Sequence, residues 1–172
     1  LQNLKNMFMK QMKFLVTMAI AALCLGFYSC SDDNDNSNAN PSEVVGTWQR
    51  THLIYKSTNS NHPEWNETED RDETGAEAPF RRTIDKDGTF NEGFWENGGY
   101  RPGEGDYTGY WKLEGKVLSF SETKEFVKGE YDYYNIIELT ENLMVLEVTE
   151  TEENEDHSTS TYYNKETFKR IK

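Results

Sequence analysis

From Val44 onward the apolar residues of this chain recur at every second position, in runs rich in Thr, Tyr, Val, Ile, Phe and Trp. A period of two places alternate side chains on opposite faces of an extended strand, and no window carries the 3.6-residue repeat of a long amphipathic helix. Turn signals punctuate the runs. Asp85-Lys86-Asp87-Gly88 separates residues 80–84 from 89–95, Glu114-Gly115-Lys116 separates 107–113 from 117–121, and Thr140-Glu141-Asn142 separates 131–139 from 143–149. Glycine supplies the positive φ that a tight hairpin needs. With 44–57 at the start and 158–171 at the end, these runs make eight strands. An even number of sequential antiparallel strands predicts an all-β, eight-stranded up-and-down β-barrel, because closure removes exposed strand edges.

Alternation also predicts which side chains face inward. If Glu114, Glu138 and Glu147 face water, then Tyr107, Gly109, Trp111 and Leu113 share the inner face, as do Tyr133, Ile137 and Leu139, and Met144, Leu146 and Val148. Phe80, Arg82 and Ile84 fall together on another strand's face. Arg82 is then an inward cation among apolar residues, costly unless paired, and a candidate anchor for an anionic ligand. A single bulge reverses such an assignment.

The N-terminal segment differs in kind. Residues 1–29 contain Lys5, Lys10 and Lys13 and no acid, and the fifteen residues 14–28 carry no charge. A basic lead followed by a short apolar run is the pattern of a secretory signal, and fifteen helical residues reach roughly 22 Å, short of the roughly 30 Å hydrocarbon core. Next comes Gly26-Phe27-Tyr28-Ser29-Cys30, then Ser31-Asp32-Asp33-Asn34-Asp35-Asn36. A small residue directly before a cysteine at the end of the apolar run resembles the lipobox of bacterial lipoproteins, and the acidic stretch after Cys30 looks like the start of Bacteroidetes-type lipoproteins displayed on the cell surface. Phe27 and Tyr28 depart from the usual pattern of that motif. The resemblance implies a signal peptide over 1–29, lipidation of Cys30, and attachment through that anchor to the outer membrane with the chain surface-exposed. Several acyl chains, at about 0.8 kcal/mol per buried methylene, make such an anchor permanent. Residues 31–43, made of Ser, Asp, Asn and Ala with few other residues, read as a flexible acidic tether, so that 30–43 joins the lipid to a barrel domain over 44–172.

At Gly46-Thr47-Trp48 the strand meander resembles the lipocalin-like proteins, and Tyr162-Tyr163-Asn164-Lys165-Glu166-Thr167-Phe168-Lys169-Arg170 looks like the last strand of the small lipocalin-like lipoproteins. The resemblance implies that Trp48 plugs the closed end of the barrel and that a basic residue, Arg170 or its neighbour Lys169, packs across it. Residues 58–79, twenty-two residues with seven acids, occupy the place of a lid loop over the barrel mouth.

Chemistry is harder to find. Acids outnumber bases by 31 to 18, a formal charge of -13, and no cationic cluster is available to neutralise phosphates, so nucleic acid is not an expected partner. Two cysteines build neither a disulfide framework nor a zinc site. His52, His62 and His157 lie near no nucleophile motif. Glu92 and Glu96 are the best-spaced carboxylate pair, but a solvated strand face is the simpler reading among so many acids. Neither the acidic loop nor Asp85-Lys86-Asp87-Gly88 has the ligand order of a calcium loop, so no metal or cofactor is expected. The aromatic residues are more informative: Phe94, Tyr107, Trp111 and Tyr133, with Arg82, are the candidate ligand-binding residues of a barrel interior. The expected function is non-catalytic binding of a small apolar or amphipathic molecule. The alternative is a filled barrel that engages a protein or a glycan through the acidic, aromatic-rich loops 59–79 and 97–106. A cavity of about 300 Å³ or more, reached through an open end, favours the small molecule, and side chains meeting across the axis favour that alternative.

Overall fold

The computed structural model describes residues 39–101 and 107–171. The signal segment, Cys30 and the tether up to residue 38 lie outside the described residues, as do residues 102–106 of the second loop. The described chain contains a helical turn α1 (Pro41–Val44) and ten strands: β1 (Gly46–Asn59), β2 (Glu67–Asp72), β3 (Phe80–Ile84), β4 (Thr89–Glu96), β5 (Gly99–Tyr100), β6 (Tyr107–Glu114), β7 (Val117–Ser121), β8 (Tyr131–Leu139), β9 (Leu143–Glu153) and β10 (Thr159–Ile171).

Eight of these close an antiparallel up-and-down barrel in the order β1-β3-β4-β6-β7-β8-β9-β10, with β10 pairing back onto β1. The two additional strands arise where loops were expected. The acidic 58–79 segment contains a 3-10 turn (Pro63–Trp65) and strand β2, which pairs with β1 over His52–Ser57, beyond the four residues that β3 occupies on the same edge. β5 forms a hairpin with the end of β4. Both strands satisfy backbone groups along edges that would otherwise be open.

The end of the expected tether is also structured. Asn40 caps α1 with a reciprocal capping box, its side chain accepting from the Ser42 amide while Glu43 accepts from the Asn40 amide, and Pro41 opens the turn. Val44 is fully buried against the barrel, and its carbonyl accepts the Trp48 indole N–H at 2.8 Å.

Two bulges correct the simple alternation. In β1 the register against β10 shifts between Arg50 and His52, so Trp48, Arg50, Leu53 and Tyr55 follow one another on the inner face. In β8 the register against β9 shifts between Ile136 and Glu138. Tyr134 pairs with the fully buried Leu118 and faces inward with Ile136, while Tyr133 and Ile137 point outward, 38% and 54% exposed. The expected inward placement of Tyr133 and Ile137 fails because the extra residue absorbs one step of the two-residue period. The inward sets Tyr107 to Leu113, Met144 to Val148 and Phe80 to Ile84 hold.

The core sits toward the end formed by α1 and the tight turns. Trp48, Ile84, Leu118, Met144, Leu146 and Phe168 are completely buried there. Gly109 is required in this layer, since a Cβ on it would stand 2.1 Å from the Ser121 carbonyl oxygen and 2.9 Å from the Phe90 ring.

Candidate functional site

The closed end is sealed by the first and last strands. The Arg170 guanidinium donates to the carbonyls of Glu43, Val45 and Glu141 while covering Trp48. Gly46 makes room for it: a Cβ there would stand 2.2 Å from Arg170 Nη1. Trp111, a candidate ligand residue, packs against this buried layer with its indole N–H given to the Asp85 carbonyl at 2.8 Å. It therefore belongs to the closed half of the barrel.

Above the core lies a ladder of alternating charge, buried or nearly so except at its outer end, Arg71. Arg71 reaches Glu73 at 2.7 Å, and Glu73 takes a two-pronged contact from Arg50 at 2.9 and 3.1 Å. Arg50 Nη1 donates to Glu166 Oε1 at 2.9 Å, Arg82 Nη2 stands 3.6 Å from Glu166 Oε2, and Arg82 Nε donates to Glu92. The sequence marks Arg82 as inward, and so it is, at 2% exposure. It is not a spare cation, however, because Glu92 and Glu166 already balance it. Its guanidinium also lies over the rings of Phe120, Phe168 and Tyr134 at 4.4, 5.1 and 5.5 Å, side chains that reach it from across the axis. Burial works against the Arg82 charge, but the two carboxylates outweigh it and hold its pKa above the ordinary arginine value. Burial likewise raises the Glu92 carboxyl, with Arg82 pulling it back, and raises the Tyr134 phenol, which stays protonated. Sequence alternation missed Arg50, Glu73 and Glu166. Arg50 could have been found by counting two residues on from Trp48; Glu73 lies in a loop, and only the fold brings it to the wall.

Glu92 and Glu96, the best-spaced carboxylates, serve separate partners. Glu92 holds Arg82, whereas Glu96 pairs with Arg101 on the exposed hairpin at 2.8 Å. His52 pairs with Asp70 on the outer face, and His157 pairs with Glu153 in solvent. His62 ties two rim loops, contacting Glu64 at 3.2 Å and Asp156 at 3.1 Å while stacking on Trp65 at 3.9 Å. Among the described residues no three His, Cys, Asp or Glu side chains are placed to hold a metal ion.

Toward the open end the inner wall changes character. Phe94 on β4 is half-buried and Tyr107 on β6 is 42% exposed. Asp132 on β8, opposite Phe120, and Glu150 on β9, opposite Tyr162, are exposed. β8 and β9 are paired only over residues 135–139 and 144–147, although both strands run on toward the mouth. Along the inner wall a packed apolar base thus gives way to a buried charged layer and then to partly exposed aromatic and acidic side chains. Two shallow hollows of about 440 and 450 Å³ lie outside it. One is on the outer face against Ile54, Ile137, Val145 and Thr167, and the other is beside Arg170 at the closed end.

No family model matches the chain, and no curated protein is a significant relative of it. Among solved structures, the chain is similar to the crystal structure of a lipocalin-like protein from Bacteroides uniformis, with 15% identity and a TM-score of 0.42, over 75% of this chain and 99% of that one.

Proposed function

We propose that this protein is a non-catalytic binding protein that takes a small amphipathic molecule into the cup at the open end of its barrel. It works from a lipid anchor at Cys30, exposed on the outer membrane. The observation that carries the reading is the gradient along the inner wall, from Met144, Leu146 and Phe168 at 0% exposure to Tyr107 at 42%. Half of the barrel is spent on stability; the other half presents aromatic faces to solvent above a rigid, charge-matched floor. Of the five candidate residues, Phe94 and Tyr107 line this cup and Arg82 belongs to its floor.

Native mass spectrometry of the full chain, released gently from the membrane of its host, tests both parts. The anchor predicts a covalent lipid mass that survives unfolding and disappears in Cys30→Ser. A bound molecule predicts a separate mass that leaves on unfolding. A chain that carries no such releasable mass moves the reading to the rim, where Trp65 is 63% exposed and stacked on His62, a flat aromatic surface suited to a glycan or protein partner.

A further inference from the structure

Strands β8 and β9 part toward the mouth of the barrel. Their pairing stops at Asn135 and Glu147, yet β8 begins at Tyr131 and β9 runs on to Glu153. Each stays paired on its other side, β8 with β7 from Tyr131 and β9 with β10 as far as Glu153, so both remain extended along the gap. Among the described residues no backbone hydrogen bond crosses it. Two facing strand edges left open in a barrel forgo the pairing that closure exists to provide, and this needs a cause.

The register supplies one. Ile136 faces Leu146 and Asn135 faces Glu147, so continuing the ladder sets Tyr134 against Val148, Tyr133 against Thr149, Asp132 against Glu150 and Glu130 against Glu152. The last two pairs are carboxylate against carboxylate, and like charges directly opposite one another destabilise a sheet. Asp132 and Glu150 share the inner face, opposite Phe120 and Tyr162 on their paired sides. Residues 129–164 contain ten acids and no Lys or Arg, so neither strand brings a cation to the gap. The carboxylates feel one another: partial desolvation raises the Glu150 carboxyl, and Asp132 and then Glu152 add to the rise.

We propose that these facing carboxylates hold a seam of the barrel wall open, and that neutralising them zips β8 to β9 over residues 131–134 and 148–151. Two opposed carboxylates bind a shared proton more tightly than either does alone, so the zipped state takes up protons and gains as pH falls. The other groups facing the seam do not oppose this. Glu92 and Glu166 are held by Arg82 in the layer beneath, and the phenols of Tyr133, Tyr134 and Tyr162 are all raised and uncharged. The seam lies in the half of the barrel read above as the ligand site, but the proposal stands without a ligand and its test reads only the backbone.

Hydrogen exchange on the full chain, resolved by residue, provides that test. In Asp132→Asn/Glu150→Gln, amides along the gap are expected to gain at least about tenfold protection at pH 7, while those of residues 144–146 in the core keep theirs. Asp132→Lys, which sets opposite charges face to face, is expected to act in the same direction. Wild type is expected to approach that protection as pH falls from 7 to 5, after intrinsic rates are removed, and the double variant to stay flat. Glu141→Gln/Glu155→Gln removes the same net charge away from the seam and is expected to leave it open. Unchanged exchange in both seam variants overturns the proposal. An equal gain in the remote pair also overturns it, since net charge rather than the facing pairs is then the cause, and so does a wild-type gap already protected at pH 7. If the double variant loses its core protection, Asp132→Lys alone decides.

Discussion

Arg170 sits over Trp48, its guanidinium carbon 4.0 Å from the ring centroid, and joins the last strand of the barrel to the first. The contact is worth about 0.5–2 kcal/mol as a cation–π pair, and the three carbonyls that Arg170 also satisfies are left without a donor when it is truncated. Arg170→Ala is expected to lower stability by about 3 kcal/mol in urea denaturation, with Arg170→Lys recovering only part because an ammonium cannot bridge the same carbonyls. A double-mutant cycle with Trp48→Ala that shows no coupling would remove the cation–π share.

Arg82→Met leaves Glu92 in the interior without its cation and Glu166 with Arg50 alone, a change expected to cost about 3–5 kcal/mol at neutral pH. The Glu92 carboxyl is already raised by burial and rises further without its partner. A carboxyl raised in the folded state favours folding below its ordinary value and loses that contribution as pH rises through the folded one. The deficit against wild type is therefore expected to shrink on acidification from pH 7 toward pH 5. A deficit that stays constant across that range contradicts the ladder as described.

Glu73 anchors the chain after β2 to the barrel wall, its carboxylate held by Arg50 and its amide by the Thr51 carbonyl at 2.8 Å. Burial opposes its charge, yet Arg50 and Arg71 hold its pKa below the ordinary glutamate value. Its contribution is present above that ordinary value and fades as pH falls through the lowered one. Glu73→Ala is expected to cost about 3 kcal/mol and to speed amide exchange throughout β2. Unchanged protection of β2 would show that strand pairing alone holds it.

His62 links the rim loops through Glu64 and Asp156. The hydrogen bond to Glu64 is the main cause that raises the His62 pKa, and hydrogen bonds from Ser158, aided by His62, bring Asp156 down to about 2. A raised imidazole contributes fully below its ordinary value near 6.5 and is lost as pH rises through the folded value. Exchange at the amides of residues 60–66 is expected to be slower at pH 6 than at pH 8 after intrinsic rates are removed. His62→Ala is expected to abolish that difference.

The β8 bulge makes neighbouring isoleucines opposite in consequence. Ile136 is 6% exposed and packs in the core, whereas Ile137 is 54% exposed. Ile136→Glu is expected to unfold the protein or cost several kcal/mol, and Ile137→Glu to change stability by about 0.5 kcal/mol or less. Equal effects on thermal melting would mean that the bulge lies elsewhere.

The barrel is legible in the sequence because its cause is local. The two-residue period, the glycine turns and an even strand count leave few other ways to bury one face of each strand, and the resemblance at Gly46-Thr47-Trp48 implied the plug that Trp48 makes and the basic cover that Arg170 supplies. Tyr107 and the inward Arg82 follow from the same alternation. What failed was what one extra residue or a long sequence separation controls. The bulge at Ile137 reversed Tyr133, and a strand appeared within the acidic loop because the upper edge of β1 had no partner until β2 supplied one. Arg82 reads as an unpaired cation along the chain. It is balanced in its setting by Glu92, directly opposite on the β3–β4 hairpin, and by Glu166, eighty-four residues later, which folds back beside it. Periodicity decides which face a side chain takes, but whether a buried charge is matched depends on strand register and on contacts such as Glu166 that only closure of the barrel creates.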